Sequence, residues 1–303
     1  ISTKSFLYMT KFLRIIPKLD IKGPNLVKGI CFEGNRVLGT ANYFSDLYSE
    51  EGADEIFFQD TVASLYQRNN LHDILKNSAT KVKIPITVAG GIRSLEDINN
   101  VLRAGADKVA INTAAIKDLS FIKDASRKFG SQCIVASLEI KKMNEFYEPW
   151  YDYGRENSGK ILEEWCEKLL EAGIGEIFLS SVDRDGTGED FDHLLIEKVM
   201  KISNVPIIVC SGAGSKENVL NLFKKYDCDG VGIGSLFHYN YLKKVETKFM
   251  SYDSDDLRMG KQIDSGNIDF IKKGYGGFKE IQVEPCSIKE LKNYLKNNGV
   301  YIR

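Results

Sequence analysis

The chain has 303 residues, of which 43% are hydrophobic and 27% are charged, and its formal net charge is −1. These proportions are ordinary for a globular protein, and the length suits either two ordinary domains or one α/β barrel of about 250 residues. A nearly neutral chain has no overall field that would recruit nucleic acid or an anionic membrane, so neither is expected as a partner.

Short apolar runs alternate along the chain with amphipathic stretches of helical length. The apolar runs are continuous, which is typical of strands in a parallel sheet that is covered on both faces. Strands are expected at residues 13–21, 54–59, 84–89, 107–112, 132–140, 175–181, 205–210 and 229–234. Helices are expected at residues 41–51, 69–79, 94–105, 118–129, 158–172, 191–203, 215–226 and 287–298. Eight strands that alternate with eight helices predict an α/β fold, the (β/α)8 TIM barrel, with a doubly wound open sheet as the alternative.

The second half of the chain repeats the first. The matching pairs are Pro85–Ser94 with Pro206–Ser215, Gly52–Phe58 with Gly173–Leu179, Ala106–Thr113 with Cys228–Ser235, and Leu19–Lys22 with Leu138–Lys141. A repeat on this scale is too long to be the unit of a solenoid. It favours a closed barrel built from two half-barrel repeats, because two four-stranded halves can close with approximate twofold symmetry.

Residues 241–282 are the one long segment that does not fit this alternation, since they show little periodicity. The whole chain, residues 1–303, is therefore interpreted as a single barrel domain with an insertion between the eighth strand and the last helix. An irregular segment of this length in a compact domain is either a surface excursion or functional, for example a lid over the site. The sequence favours neither interpretation.

Glycine-rich or polar loops follow several predicted strands, at the end of a barrel where chemistry is located. In the first half the candidate residues are Gly91, Asn112 and Thr113. In the second half they are Asp185, Gly186, Thr187, Gly212, Gly214, Gly234 and Ser235. Glycines let a phosphate approach backbone N–H groups, and the following helix N-terminus adds positive potential. Two sets related by one repeat predict an elongated ligand with two phosphates, and plain turn glycines are the alternative.

Two acidic residues end strands that lie opposite each other in an eight-stranded ring. Asp20 ends the first strand and Glu139 ends the fifth. Two carboxylates that face each other across a pocket suit general acid–base catalysis. The alternative is that either carboxylate only pairs with a nearby lysine such as Lys28 and shapes the site. Their opposition across the repeat favours catalysis.

Four charged residues lie at or near the beginnings of predicted strands, and so at the opposite end of the barrel. They are Arg14, Glu55, Lys108 and Glu176. Two cations and two anions gathered there predict a salt-bridged plug, because this end of a barrel usually serves stability. A functional interpretation requires a reason for a passage through the barrel.

The cysteines and histidines give no sign of a metal or cofactor. The six cysteines form no Cys-x-x-Cys pair, and the three histidines are scattered, so no metal site is expected. Reduced thiols are the expectation for the cysteines. The apolar residues near the start are interrupted by Lys11 and Arg14 and show no cleavage site typical of a signal peptide, so a cytoplasmic location is expected.

Several motifs together resemble one family, the cyclase subunit of imidazole glycerol phosphate synthase (the HisF family). The motifs are Arg14–Asp20, Val27–Gly29, Gly105–Ala114, Phe129–Gln132, Asp183–Thr187 and Phe237–His238. The resemblance covers about residues 12–240 and resumes at Ser287.

The resemblance implies a (β/α)8 barrel that forms a heterodimer with a glutaminase subunit. Ammonia released by the glutaminase would cross the barrel and react with a phosphoribulosyl-formimino aminoimidazole carboxamide ribotide. The products would be imidazole glycerol phosphate and an aminoimidazole carboxamide ribotide, in histidine biosynthesis. This substrate carries two phosphates, and no cofactor is implied.

The resemblance also assigns roles to individual residues. The four-residue charged ring matches the family's ammonia gate at every position, which favours a gate over a plug. Asp107 and Gln132 match residues near the side that faces the partner. Lys28 matches a lysine on a mobile loop that closes on the substrate.

Three features depart from the family pattern, and all three lie on the substrate side. Glu139 replaces an aspartate, and a carboxyl group displaced by about 1 Å can cost about a hundredfold in rate. Cys210–Gly212 replaces a serine followed by two glycines, and the 241–282 insertion is additional. Two alternatives therefore stay open: an ammonia-channelling paralogue that amidates or amidinates a surface sugar, and an inactive barrel that scaffolds its glutaminase.

Overall fold

The computed structural model describes residues 11–63, 71–245 and 282–303. Its strands are β1 (Arg14–Lys22), β2 (Asn25–Ile30), β3 (Glu33–Thr40), β4 (Ile56–Asp60), β5 (Ile86–Ala89), β6 (Lys108–Ile111), β7 (Ile134–Met143), β8 (Phe146–Tyr151), β9 (Glu156–Asn157), β10 (Glu176–Ser181), β11 (Ile207–Cys210) and β12 (Gly230–Ile233). Its helices are α1 (Ala41–Glu50), α2 (Leu71–Lys81), α3 (Leu95–Arg103), α4 (Thr113–Lys117), α5 (Ser120–Phe129), α6 (Leu162–Ala172), α7 (His193–Ile202), α8 (Lys216–Lys225), α9 (Ser235–Val245) and α10 (Ile288–Asn297).

Eight of these strands form a closed parallel barrel. Their order around the ring is β1, β4, β5, β6, β7, β10, β11 and β12. Parallel pairing between β7 and β10, and between β12 and β1, closes the ring. The predicted (β/α)8 barrel is therefore confirmed, and the open doubly wound sheet is wrong, because an open sheet would leave two unpaired edges.

The barrel strands and the surrounding helices bury complementary faces. Ile15, Leu19 and Ile21 point outward from β1 into the large core between the strands and the helices, whereas Ile16 belongs to a separate core inside the barrel. Helices α3, α8 and α10 each begin with a capping box, so that a serine hydroxyl and the third helical residue satisfy N–H groups that the helix leaves free. The alternation of strand side chains thus fixes which residues reach the barrel interior.

Two antiparallel hairpins extend the barrel at the carboxyl ends of its strands, and the sequence analysis did not predict them. β2 and β3 continue from β1, with Asp20 opposite Val27. β8 and β9 continue from β7, with Glu139 opposite Trp150. Both hairpins lie in stretches to which the sequence analysis assigned neither a strand nor a helix, because polar residues and turn residues obscure the strand pattern there.

The other differences concern helices. α4 and α9 follow β6 and β12 directly and were not predicted. With five residues α4 is too short to show a helical period, and α9 extends into the segment that was expected to be irregular. Residues 241–245 belong to α9, so the expectation of irregular structure is wrong for them. The rest of the expected insertion up to residue 281 lies outside the described residues. In the part of the chain that is described, no helix is long and apolar enough to cross a membrane.

Candidate active site

The four charged residues predicted at the amino-terminal end of the barrel form one ring of ion pairs. The Arg14 guanidinium lies 3.0 Å from Glu55 and 2.7 Å from Glu176. The Lys108 ammonium lies 2.8 Å from Glu55 and 3.0 Å from Glu176. Each cation thus contacts both anions, and the Thr87 hydroxyl donates a further hydrogen bond to Glu55 at 2.5 Å. The ring spans the barrel opening, because its members lie at, or immediately before, the first residues of four different strands.

Asp107 and Gln132 lie at the same end of the barrel. Asp107 immediately precedes β6 and accepts a hydrogen bond from the Ile86 N–H at 2.8 Å. Gln132 lies in a short 3₁₀ turn just before β7, and it is exposed. Both residues therefore lie near the starts of strands, on the side of the charged ring.

An apolar layer fills the barrel interior above the charged ring. Its members are Ile16, Phe57, Ala89, Ala110, Val135, Phe178, Ile208 and Cys210. The rings of Phe57 and Phe178 stack with their centroids 3.9 Å apart. Gly232 makes room for Phe178, since a Cβ atom at residue 232 would lie 2.6 Å from the end of that ring. The stacked rings lie between the charged ring and the opposite mouth.

The mouth at the carboxyl ends of the strands contains a buried chain of alternating charges. Lys18 Nζ lies 2.5 Å from Asp20 Oδ1, and Lys28 Nζ lies 3.7 Å from Asp20 Oδ2 and 2.6 Å from Asp185 Oδ2. All four side chains are at most 6% exposed. Burial alone would lower the pKa of Lys28, but the carboxylates of Asp185 and Asp20 raise it above its ordinary value. The two lysines and two aspartates are therefore held as a compensated set of charges.

Glu139 ends the predicted fifth strand across the mouth from Asp20, and its environment is different. Burial raises the pKa of Glu139 to about 7, although the Gly154 N–H and the Lys18 ammonium lower it. The Gly154 N–H donates to Glu139 Oε2 at 2.9 Å. Near neutral pH this carboxyl group is thus divided between its protonated and ionised forms, which is the property of a group that exchanges protons.

The turns of the two hairpins meet over these charges. The rings of Phe32 and Tyr153 stack with centroids 4.7 Å apart and interplanar angle 15°. The turn before β3 is tied to the barrel, because the Cys31 N–H donates to the Asp185 carbonyl at 2.8 Å. Phe32 and Tyr153 have left-handed backbone, with φ of 65° and 59°, which costs energy in a residue with a side chain. Strain of this kind is often found at functional sites.

A cavity of about 370 Å³ opens in the first half of the mouth. It is lined by Gly91, Asn112, Thr113 and Glu139, together with Asp60. The β8–β9 hairpin contacts two of the predicted phosphate ligands, because Asn112 donates to the Trp150 carbonyl at 2.9 Å and Thr113 accepts from the Asp152 N–H at 3.1 Å.

A much smaller cavity of about 20 Å³ lies in the second half of the mouth. The predicted residues that line it are Asp185, Gly186, Gly212, Gly234 and Ser235, with Lys28 and Asp20 at one side. The buried Ser235 hydroxyl has no hydrogen-bond partner among the described residues.

Thr187 and Gly214, also predicted to bind phosphate, do not line the smaller cavity. The Thr187 hydroxyl donates to the Arg184 carbonyl at 3.0 Å. The segment Gln282–Glu284 covers Gly214, because the Glu284 N–H donates to the Gly214 carbonyl at 2.7 Å. A Cβ atom at residue 214 would lie 2.3 Å from the Gln282 carbonyl oxygen. This segment therefore occupies the space next to Gly214.

Three residues at the mouth escaped the sequence analysis. Lys18 faces inward two residues before Asp20, which the alternation along β1 could have indicated. Asp60 ends β4 just as the predicted acids end their strands, and burial raises its pKa above the ordinary value. Tyr153 had no signal, because its position depends on the β8–β9 hairpin. Across the described residues, no group of three or more metal-ligating side chains could hold a metal ion.

A closed (β/α)8 barrel with buried acids between glycine-rich loops defines a class of small-molecule enzymes, and comparison with known proteins gives the family. The model of the family described as "Histidine biosynthesis protein" matches residues 14–243, so the chain belongs to that family. Within it, the similar proteins are imidazole glycerol phosphate synthase subunits HisF, and the resemblance seen in the motifs is confirmed.

Three of these relatives show the extent of the similarity. The HisF subunit of Legionella pneumophila is 49% identical over 206 residues, which cover 68% of this chain and 97% of the relative. The HisF subunit of Natranaerobius thermophilus is 35% identical over 290 residues, covering 96% of this chain and 98% of the relative. The HisF subunit of Prochlorococcus marinus (strain MIT 9515) is 42% identical over 239 residues, covering 78% of this chain and 93% of the relative.

Proposed function

We propose that this protein is the cyclase subunit of an imidazole glycerol phosphate synthase, in which Asp20 and Glu139 exchange protons with the substrate. The observation that carries the proposal is the difference between the two buried acids. Asp20 lies between two lysine ammonium groups, whereas Glu139 has a pKa of about 7. Two acids with different environments can act as a base and an acid in one reaction.

The proposed reaction joins ammonia to a phosphoribulosyl-formimino aminoimidazole carboxamide ribotide. Ammonia attacks the substrate ketone next to Asp20, whose carboxylate takes a proton from the attacking nitrogen, and the ketone oxygen then leaves as water. Glu139, in its protonated form, supplies a proton on the opposite side as the imidazole closes and the bond to the departing ribotide breaks. The products are imidazole glycerol phosphate, an aminoimidazole carboxamide ribotide and one molecule of water.

Two anion sites would hold the ends of this substrate. Gly91, Asn112 and Thr113 would receive one phosphate in the larger cavity. Gly186, Gly212, Gly234 and Ser235, which line the smaller cavity, would surround the other. The buried Ser235 hydroxyl at the start of α9 has no hydrogen-bond partner among the described residues. It supports the second site, because a helix N-terminus and a hydroxyl that can donate both favour an anion.

The ammonia is proposed to come from a glutaminase subunit that binds the end of the barrel carrying Asp107 and Gln132. The word "subunit" in the relatives' names supports a complex. The ring of Arg14, Glu55, Lys108 and Glu176 would be the gate. Above it, ammonia would meet an apolar layer in which Phe57 and Phe178 stack, so passage requires these rings to move apart.

The second candidate function is that of a paralogue which amidates or amidinates a surface sugar with ammonia delivered in the same way. The specific observation in its favour is the small second cavity, about 20 Å³ against about 370 Å³ in the first half. Ser211, which has left-handed backbone with φ of 76°, lines this cavity. A substrate with a smaller group at that end would fit such a mouth.

The test is an ammonium-dependent assay with the two-phosphate substrate, in which imidazole glycerol phosphate is separated by chromatography. The parent protein should form the product, and Asp20→Asn should form none. Asp227→Asn is the matched control, because Asp227 is 88% exposed. A parent without turnover, or an Asp20→Asn variant with full turnover, would overturn the proposal. A parent that lacks turnover but stimulates glutaminase activity would instead favour the paralogue or the scaffold.

A further inference from the structure

Lys18 occupies an unusual position for a lysine, since its side chain is 5% exposed and points into the barrel. A buried ammonium group is costly unless charges and hydrogen bonds compensate it. Its compensation comes from Asp20 on the same strand, with Nζ and Oδ1 2.5 Å apart. The strand alternation places both side chains on the same face of β1, where they can contact each other directly.

The backbone of Lys18 is also fixed. His238 donates from Nε2 to the Lys18 carbonyl at 3.1 Å, and its Nδ1 accepts from the Tyr48 hydroxyl at 2.7 Å. Burial lowers the pKa of His238 to about 3, so the ring is neutral and its single N–H points at the carbonyl. A buried, neutral histidine thus anchors β1 at the residue that contacts Asp20.

Two aromatic rings cover the Lys18 ammonium from the side of the mouth. Nζ lies 5.1 Å from the centroid of Phe32 and 5.9 Å from that of Tyr153. Ring faces attract a cation at these distances, and they also keep water away from it. The contact with Asp20 therefore lies in a medium where electrostatic interactions are strong.

We propose that Lys18 is a positioning residue of the active site, whose ammonium group fixes the orientation of the Asp20 carboxylate. The inference rests on the proposed role of Asp20 and deepens it. With Oδ1 held by Lys18, Oδ2 is the oxygen left to face the substrate, because Lys28 is 3.7 Å from it and is bound more closely by Asp185. One oxygen is thus tethered and the other is available as a base.

The same ammonium acts on the opposite acid. Its charge is one of the influences that lower the pKa of Glu139 against the effect of burial. The titratable groups that face Lys18 are Asp20, Lys28, Glu139, Tyr153, Asp185 and Cys210. Loss of the Lys18 charge should therefore raise the pKa of Glu139 further and keep it protonated at higher pH.

The test compares Lys18→Met and Lys18→Arg with Lys22→Met, a control that removes an exposed lysine from the end of the same strand. With ammonium and the two-phosphate substrate, Lys18→Met should lower kcat about a hundredfold and change KM less than about threefold. The basic limb of its kcat profile should move up by about one pH unit. Lys18→Arg should retain the pH profile and recover part of kcat, because it keeps the charge but not the geometry.

A second measurement does not depend on turnover. Carboxyl ¹³C NMR, with the signal of Glu139 assigned by Glu139→Gln, should show Glu139 titrating at higher pH in Lys18→Met than in the parent. An unmoved titration together with kcat within twofold of the parent would overturn the inference, as would a loss confined to KM. If the parent itself has no turnover, the proposed function fails while the NMR titration still tests Lys18. If Lys18→Met does not fold, the Lys18→Arg variant provides the test. A kcat and a Glu139 titration that both equal those of the parent would refute the geometric role of Lys18. A reduced kcat with the same Glu139 titration as the parent would support it.

Discussion

The buried carboxyl group of Glu139 makes a prediction about stability that does not depend on any substrate. Burial raises the pKa of this group from 4.5 to about 7. The native protein therefore binds the proton more tightly than the unfolded chain does. The contribution of this group to the free energy of unfolding is fully present below about pH 4.5 and is lost as the pH rises toward 7. At about 1.4 kcal/mol for each pH unit, the loss is about 3 kcal/mol.

Glu139→Gln should remove this loss, because an amide has no proton to release and its oxygen can still accept from the Gly154 N–H. Relative to the parent, the variant should gain about 3 kcal/mol of unfolding free energy between pH 4.5 and pH 8. The measurement is urea unfolding of both proteins at several pH values, with the slope against urea checked for constancy. Glu145→Gln is the control, since Glu145 is exposed between β7 and β8.

If the free energies of unfolding of the parent and of Glu139→Gln change with pH in parallel, the predicted role of Glu139 in stability is refuted. In that case the Glu139 carboxyl group would be solvated, or it would have a partner other than the Gly154 N–H. A variant that is equally destabilised at every pH would mean that the amide cannot occupy the site of the acid.

Three further predictions concern other parts of the barrel. Ser211→Gly should raise the free energy of unfolding, measured in urea, by about 0.5–1 kcal/mol, because glycine adopts a φ of 76° without steric cost. A destabilised variant would show that the Ser211 hydroxyl contributes more to stability than the backbone strain costs. Lys108→Met should cost about 2–3 kcal/mol in the same measurement, since it leaves Glu55 and Glu176 with Arg14 alone; an unchanged protein would show that the ring is solvated. In the glutaminase complex, Phe178→Leu should raise the ratio of turnover with glutamine to turnover with ammonium salts, because it removes the ring stack from the proposed passage. An unchanged ratio would mean that ammonia takes another route.

The sequence predicted the elements of the barrel well because their signal is local. Barrel strands such as β11 and β12 are continuous apolar runs, and serines such as Ser94 and Ser215 mark helix starts by hydrogen bonds within the next three residues. The repeat between the two halves of the chain also indicated that the strands close into a barrel. The hairpins β2–β3 and β8–β9 escaped because their strands are partly polar and pair only as extensions of β1 and β7.

The sequence by itself determined the barrel, the family, and the identities of the residues at both ends of the strands. Alternation along each strand then decides which side chains enter the interior, and this too can be derived from the sequence once the strands are known.

Only the tertiary structure decided how these residues meet. The stack of Phe57 on Phe178, the chain of charges from Lys18 to Asp185, and the turns that bring Phe32 to Tyr153 join residues far apart in the sequence. The pKa of Glu139 depends on the burial that these contacts create. Burial and charge pairing are properties of the closed barrel, so no local pattern in the chain encodes them.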